Sequence, residues 1–347
     1  MIDRAATMGL RRLAWAAAAF ALLVVVFGAF VRLSNAGLSC PDWPTCYGKL
    51  TWPTHAHEVA SANAAFPDRP VETDKAWREQ AHRILVGGLS LFTLALAAWA
   101  WLRRRELRGL AAVPIAAVAL IVFQAALGMW TVTLKLLPFV VMAHLLGGMA
   151  LFALLAYTAL RLGLAPAGSA QTAALKRMTA VGIGLLALQI ALGGWTSSNY
   201  AALACGNDFP KCLGAWWPAT DFREAFVLWR GIGVDYEGGV LDTAARAAIQ
   251  LAHRIGALIV FAYLSIVAIV AARNPPTRGL GFAVAVALLA QVALGIGNVK
   301  LGLPLPVAIA HNGVAALLLL ALLALLVLTR VERRETRDVR SDVGLGS

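Results

Sequence analysis

The chain has 347 residues, is 60% hydrophobic and 14% charged, carries a formal net charge of +12, and has a mean hydropathy of +0.74. A soluble domain of this length has no interior large enough for that much apolar surface, which excludes an ordinary globular protein. The positive charge alone suggests a nucleic-acid binder, but its distribution along the chain argues against one.

In chain order, eight apolar runs are each long enough to cross a bilayer, for which roughly 20 residues are required. They cover about 13–32, 82–102, 110–132, 139–161, 178–198, 247–272, 280–299 and 307–329. Backbone polar groups within lipid must be satisfied internally, so these runs are expected to be helices. With the N-terminus placed inside, the inner segments hold 17 basic and 6 acidic residues, and the outer segments 13 and 12. The inner excess comes from Arg4, Arg11, Arg12, Arg103, Arg104, Arg105, Arg108, Arg161, Lys176, Arg177, Arg273, Arg278, Arg330 and four tail arginines. This is the positive-inside pattern, and it predicts cytoplasmic termini with no nucleic acid as partner. The first run is long and leads into Val31, Arg32 and Leu33 without a small-residue cleavage site, so no removable signal is expected. The expected location is the inner (cytoplasmic) membrane of a bacterium.

A polar segment with Pro and Gly at 165–171 divides the chain. Landmarks recur across it: Cys40 and Cys205, Cys46 and Cys212, His82 and His253, Gln124 and Gln291, His144 and His311, at offsets of 165 to 171. The expected fold is an all-α membrane protein of eight transmembrane helices arranged as two tandem four-helix bundles. The bundles are related by pseudo-twofold symmetry about the membrane normal. The N-terminal half spans 1–165, the C-terminal half 172–330, and a basic cytoplasmic tail 331–347.

Ionisable residues within membrane spans are costly and point to function. His82 and His144 begin the second and fourth runs, and His253 and His311 the sixth and eighth. All four fall at similar depth on the outer side. A duplicated pair of imidazoles on facing helices can hold two metal centres, and haem is the favoured choice. Zinc or copper sites gather more ligands, and no carboxylate or cysteine accompanies all four histidines. Plain packing histidines are the simpler alternative for any one position. Gly87, Gly88, Gly147, Gly148, Gly256 and Gly313 follow the histidines, suiting either a flat macrocycle or close helix packing.

Arg83 and Arg254 directly follow histidines and are candidates to pair with haem propionates, or else to anchor at the interface. Glu79 lies one helical turn before His82, whereas Gln250 stands before His253. A carboxylate in one half only suggests chemistry there, through proton handling or stabilisation of positive charge. Solvation at the helix end, or pairing with Arg83, is the alternative. Cys40 with Cys46 and Cys205 with Cys212 sit in outer loops, where disulfides persist; the pairs are either structural bridges or a cycling redox couple. His55 and His57, in the first loop, are assigned no role.

The run from Val31 to Asn35, then Gly37 to Pro44, then Glu79 to Arg83, together with the Cys205–Cys212 loop, resembles the haem A synthases. The resemblance covers both halves. It implies an enzyme that oxidises the C8 methyl group of haem O to a formyl group, giving haem A for cytochrome oxidase. It implies haem b as cofactor on His253 and His311, and substrate haem O at His82 and His144 with Glu79 beside it. Implied partners are membrane lipid, haem O synthase and an electron donor or acceptor, and a homo-oligomer is compatible. A diheme electron-transfer cytochrome would share the histidines but has little use for Glu79 in one half only, and a haem carrier would hand haem on unchanged, so that extracted haem would match what was supplied.

Overall fold

The computed structural model describes residues 4–107, 109–167 and 172–330. The tail at 331–347, Arg108 and part of the expected linker lie outside the described residues. Among the described residues every regular element is helical, apart from two isolated bridges, Cys46 with Lys49 and Cys212 with Ala215. The helices are α1 (Arg4–Leu33), α2 (Ala56–Ala65), α3 (Thr73–Leu102), α4 (Arg104–Leu107), α5 (Ala112–Thr133), α6 (Pro138–Gly163), α7 (Ala173–Ser198), α8 (Phe222–Ala225), α9 (Thr243–Arg273), α10 (Arg278–Lys300) and α11 (Leu305–Leu328).

Eight of these are long and apolar enough to cross a bilayer, matching the eight apolar runs. Their boundaries differ most at the starts of α1 and α3, which open at Arg4 and Thr73, each nine residues before its apolar run begins. Polar residues end a hydropathy window, but in α3 Glu79 and Gln80 are buried within the helix, so it continues through them. At α9 the Asp242 carboxylate accepts a hydrogen bond from the Ala245 N–H at 2.8 Å, capping a start four residues before the apolar run. Proline occupies the first turn of α6, where its missing N–H costs nothing.

Within residues 4–163, α1 packs on α3 and α6, and α5 packs on α3 and α6, closing a ring of four. Within residues 173–328, α7 packs on α9 and α11, and α10 packs on α9 and α11, closing another. The two rings meet where α6 touches α7 and α11, and where α1 touches α11. One buried apolar cluster crosses this seam, running from Leu10 and Ala14 through Phe152 and Leu155 to Leu264 and Leu322.

The long connections 34–72 and 199–242 lie at the same end of the bundle and are tied together. Arg69 pairs with Glu237 at 3.1 Å, and the Tyr236 N–H donates to the Lys135 carbonyl at 3.1 Å. The Tyr236 ring packs into a cluster with Leu38, Leu127 and Leu137, so a segment of the second half covers the first.

Candidate functional site

The four histidines lie within the first eleven residues of α3, α6, α9 and α11, all toward the loop end. They line one cavity of about 1460 Å³ that runs through both halves. The expected pairing sets His82 with His144 and His253 with His311 on the wall of that one cavity.

Each ring is met by a glycine on a neighbouring span. A Cβ added to Gly28, Gly128, Gly193 or Gly295 would lie 2.9, 3.5, 3.3 or 3.2 Å from Cε1 of His82, His144, His253 or His311. At Gly28 that distance is below ordinary contact, so the ring occupies space only a glycine leaves free. Of the glycines marked in the sequence, Gly87 and Gly148 line the cavity, while Gly88 meets Phe20 and Gly313 meets Val26. The first two give a flat ligand room, and the last two serve helix packing.

These residues fit a haem. The Nδ1 atoms of His82, His144 and His311 are buried without a hydrogen-bond partner, as are Gln124 Nε2 and Asn298 Oδ1. Imidazoles lining a large cavity walled by Val24, Leu89, Ile121, Leu186, Val260 and Leu288 are a donor set suited to haem iron. No group of three or more His, Cys, Asp or Glu suited to a bare metal ion occurs among the described residues.

Glu79 is 6% exposed and lines the same cavity. Its Oε1 accepts from Arg83 Nη2 at 2.6 Å, and its Oε2 from the Cys40 N–H at 2.9 Å and Ser39 Oγ at 3.1 Å. A carboxylate with three donors on it is fixed in orientation and retains one acceptor site. Gln250, at the corresponding place, is also buried and lines the cavity.

Both arginines line the cavity, yet their Nη groups hold the loops. Arg83 Nη1 donates to the carbonyls of Asp42 at 2.8 Å and Thr45 at 2.5 Å. Arg254 Nη2 donates to the Asp208 carbonyl at 2.9 Å, and its Nη1 to the Lys211 carbonyl at 2.8 Å. Contacts to backbone carbonyls have no residue signature, so the sequence did not reveal them. Each clamped loop is closed by a disulfide, Cys40–Cys46 with Cα atoms 4.8 Å apart and Cys205–Cys212 with Cα atoms 4.5 Å apart.

A carboxylate pins each loop from inside. Asp42 accepts from the N–H groups of Tyr47 at 2.6 Å and Gly48 at 2.8 Å, and Asp208 accepts from the Gly214 N–H at 2.7 Å. Burial raises the Asp42 pKa, but the hydrogen bonds from Thr45, Gly48 and Tyr47 outweigh it and hold the group below its ordinary 3.8. Its contribution to stability is therefore fully present above pH 3.8 and is lost as pH falls through the lower folded value. Asp42→Asn is expected to cost on the order of 1–2 kcal/mol at neutral pH. The check is thermal melting: the wild type and the variant should converge in strong acid and differ at pH 7.

Arg32, within the Val31–Asn35 run, was given no role of its own in the sequence. Its Nη2 donates to the Ser197 carbonyl at 2.7 Å and its Nη1 to Tyr200 Oη at 3.1 Å, with the guanidinium 4.4 Å from that ring's centre. It lines the cavity and bridges the two halves there.

Comparison with known proteins gives a consistent picture. A family model described as COX15-CtaA, cytochrome oxidase assembly protein, matches residues 11–323. The chain is 46% identical over 303 residues to the heme A synthase of Shewanella oneidensis, covering 87% of this chain and 91% of that protein. It is 30% identical over 345 residues to the heme A synthase of Novosphingobium aromaticivorans, covering 92% and 94%. It is 26% identical over 302 residues to that of Bacillus licheniformis, covering 84% and 86%.

Proposed function

The chain belongs to the COX15-CtaA family of cytochrome oxidase assembly proteins, and from that premise we propose that it is a multi-pass membrane oxidoreductase, a haem A synthase. Its substrate is haem O, whose C8 methyl carbon gives up two electrons to an acceptor and takes up one oxygen at each of two steps, forming an alcohol and then a hydrated aldehyde that loses water. The observation that carries this reading is a carboxylate, Glu79, at only one of two histidine pairs lining a single cavity. The 46% identity to a heme A synthase does not favour a diheme electron-transfer cytochrome or a haem carrier.

In this reading His82 and His144 hold the substrate, and His253 and His311 hold haem b as the resident cofactor. Bound haem b supplies one-electron redox chemistry. Glu79, held by Arg83, Ser39 and the Cys40 N–H, presents a fixed negative charge toward the substrate edge. It takes up a proton or stabilises positive charge developing at the methyl carbon. Arg83 and Arg254 brace the disulfide loops over the two sites and stand as neighbours for the propionates. The two loop disulfides serve as structural clasps.

The same reading assigns the halves 1–165 and 172–330 to two four-helix bundles related by a pseudo-twofold axis. The closed ring of contacts in each half and the recurring cysteine loops support that relation. The charge asymmetry supports cytoplasmic termini and a cytoplasmic tail 331–347, in the inner membrane of a bacterium. Haem O synthase and an electron partner complete the proposed setting.

The test is expression alongside a haem O source, followed by chromatography of the extracted haems. Haem A is the expected product, and an extract holding only haem O and haem b overturns the proposal.

A further inference from the structure

The cavity wall differs between the halves along one flank. Matching His82 of α3 to His253 of α9 sets Gly87 in register with Leu258, and Ser90 with Phe261. Matching Gln124 of α5 to Gln291 of α10 sets Ala125 in register with Val292. All six residues line the cavity. In each pair the first half has the smaller side chain.

Helical spacing separates this flank from the ligand face. Gly87 and Ser90, three residues apart, share one side of α3, whereas Val86 and Leu89 follow His82 at four and seven residues. On the histidine side the trend reverses, since Val86 and Leu89 match Ala257 and Val260, which also line the cavity. Gly88 and Phe92 meet Phe20 of α1. The Gly87–Ser90 side therefore turns away from α1 toward the seam with α5, on which α3 also packs. The extra room of the first half is confined to that seam.

The seam reaches the lipid-facing surface. Gly87 and Leu258 are both exposed although they line the cavity, as are Ile84 and Ile255 one turn earlier. A Cβ added at Gly87 would meet nothing within 4 Å among the described residues, so packing does not demand a glycine there. Glycine weakens a helix, and here it leaves the flank open. Ser90 Oγ donates to the Val86 carbonyl at 2.9 Å, so its hydroxyl is already satisfied within the helix. In the second half Leu258 and Phe261 fill the flank, and Phe261 packs against the buried core. A separate feature marks the first-half seam as a ligand site. Gln124, beside Ala125, is 5% exposed and lines the cavity, and its Nε2 is buried without a partner.

Haem O differs from haem b in carrying a long isoprenoid chain where haem b has a short vinyl group. We propose that the α3–α5 seam at Gly87, Ser90 and Ala125 takes this chain, and that Leu258, Phe261 and Val292 shut the matching seam to it. The proposal rests on the haem A synthase reading. A chain that moves from lipid into the groove gains little from burial, because acyl chains are equally apolar. Selection therefore comes from exclusion at the second site. Haem b fits either half, and haem O fits only the half that holds Glu79.

Full-length protein purified with low haem content and reconstituted with two equivalents per chain of haem O or, separately, of haem b tests this. Haem retained after gel filtration is counted by pyridine haemochrome, and affinity is read from titration of the Soret band. The wild type should keep about one equivalent of haem O but about two of haem b. Gly87→Leu with Ser90→Phe should weaken haem O binding roughly tenfold or more, as overfilling a packed site does, and leave haem b binding unchanged. Leu258→Gly with Phe261→Ser should admit a second equivalent of haem O. Two equivalents of haem O in the wild type overturn the proposal, as does unchanged haem O affinity in the Gly87→Leu, Ser90→Phe protein. If that protein loses both haems alike, the reverse variant decides, and a single equivalent of haem O there overturns the proposal. A wild type that keeps haem b but no haem O contradicts the haem A synthase reading itself.

Discussion

Glu79→Gln is expected to leave a folded, haem-containing protein whose conversion of haem O to haem A falls by roughly 10²–10⁴-fold, the usual range for removing a general acid or base. The substitution keeps the side chain's shape and an acceptor for the Cys40 N–H and Ser39, and removes the charge together with the acceptor for Arg83 Nη2. Breaking a buried ion pair by removing one partner often costs about 3–5 kcal/mol. The second half indicates that this position tolerates the change, because Gln250 stands there beside an Arg254 that still clamps its loop. Haem content by pyridine haemochrome and product by chromatography give the two readouts. Undiminished haem A with normal haem content would remove Glu79 from the mechanism.

The second large effect separates the histidine pairs. Replacing His253 or His311 with Ala is expected to strip the resident haem, losing about half of the bound haem in a two-site protein. Replacing His82 or His144 with Ala should spare that haem and abolish haem A formation. Spectra of the purified variants decide the matter. Equal haem loss from either pair would contradict a division between a substrate site and a cofactor site.

Much of this was legible in the sequence because it depends on spacing. Eight apolar runs of bilayer length can only be spans, and the histidines, glutamines and cysteines repeat at nearly constant offsets. The spans' polar first turns were not legible, because Glu79 and Gln80 are paired to loop atoms that a hydropathy window does not register. The arginine clamps were hidden for a related reason, since their acceptors are carbonyls that every residue owns. Arg32 was hidden because it joins parts of the chain 165 and 168 residues apart. A third Gln-x-Ala-Leu-Gly run, Gln189–Gly193, stands beside those that begin at Gln124 and Gln291, and could have been found by comparing all spans with one another as well as half with half.

Burial at the loop end has a similar origin. The Tyr47 phenol, pushed up to about 12 by burial, stays protonated at any physiological pH and donates to the Arg69 carbonyl at 3.1 Å. Arg69 in turn reaches Glu237 in the other half, so a turn beside the first disulfide is tied to the segment that covers it.

The apolar cluster that crosses the seam has a thermodynamic consequence. The boundary near 165–172 divides the sequence, but α1, α6, α7 and α11 share one interior across it. Neither half can melt without exposing the other's core, so the two report a common unfolding transition. A ligand that binds only the folded chain stabilises it by mass action wherever its site lies. A haem seated on His253 and His311 would thus shelter the first half too, and a weakening substitution beside His82 would show its cost fully only in protein freed of both haems.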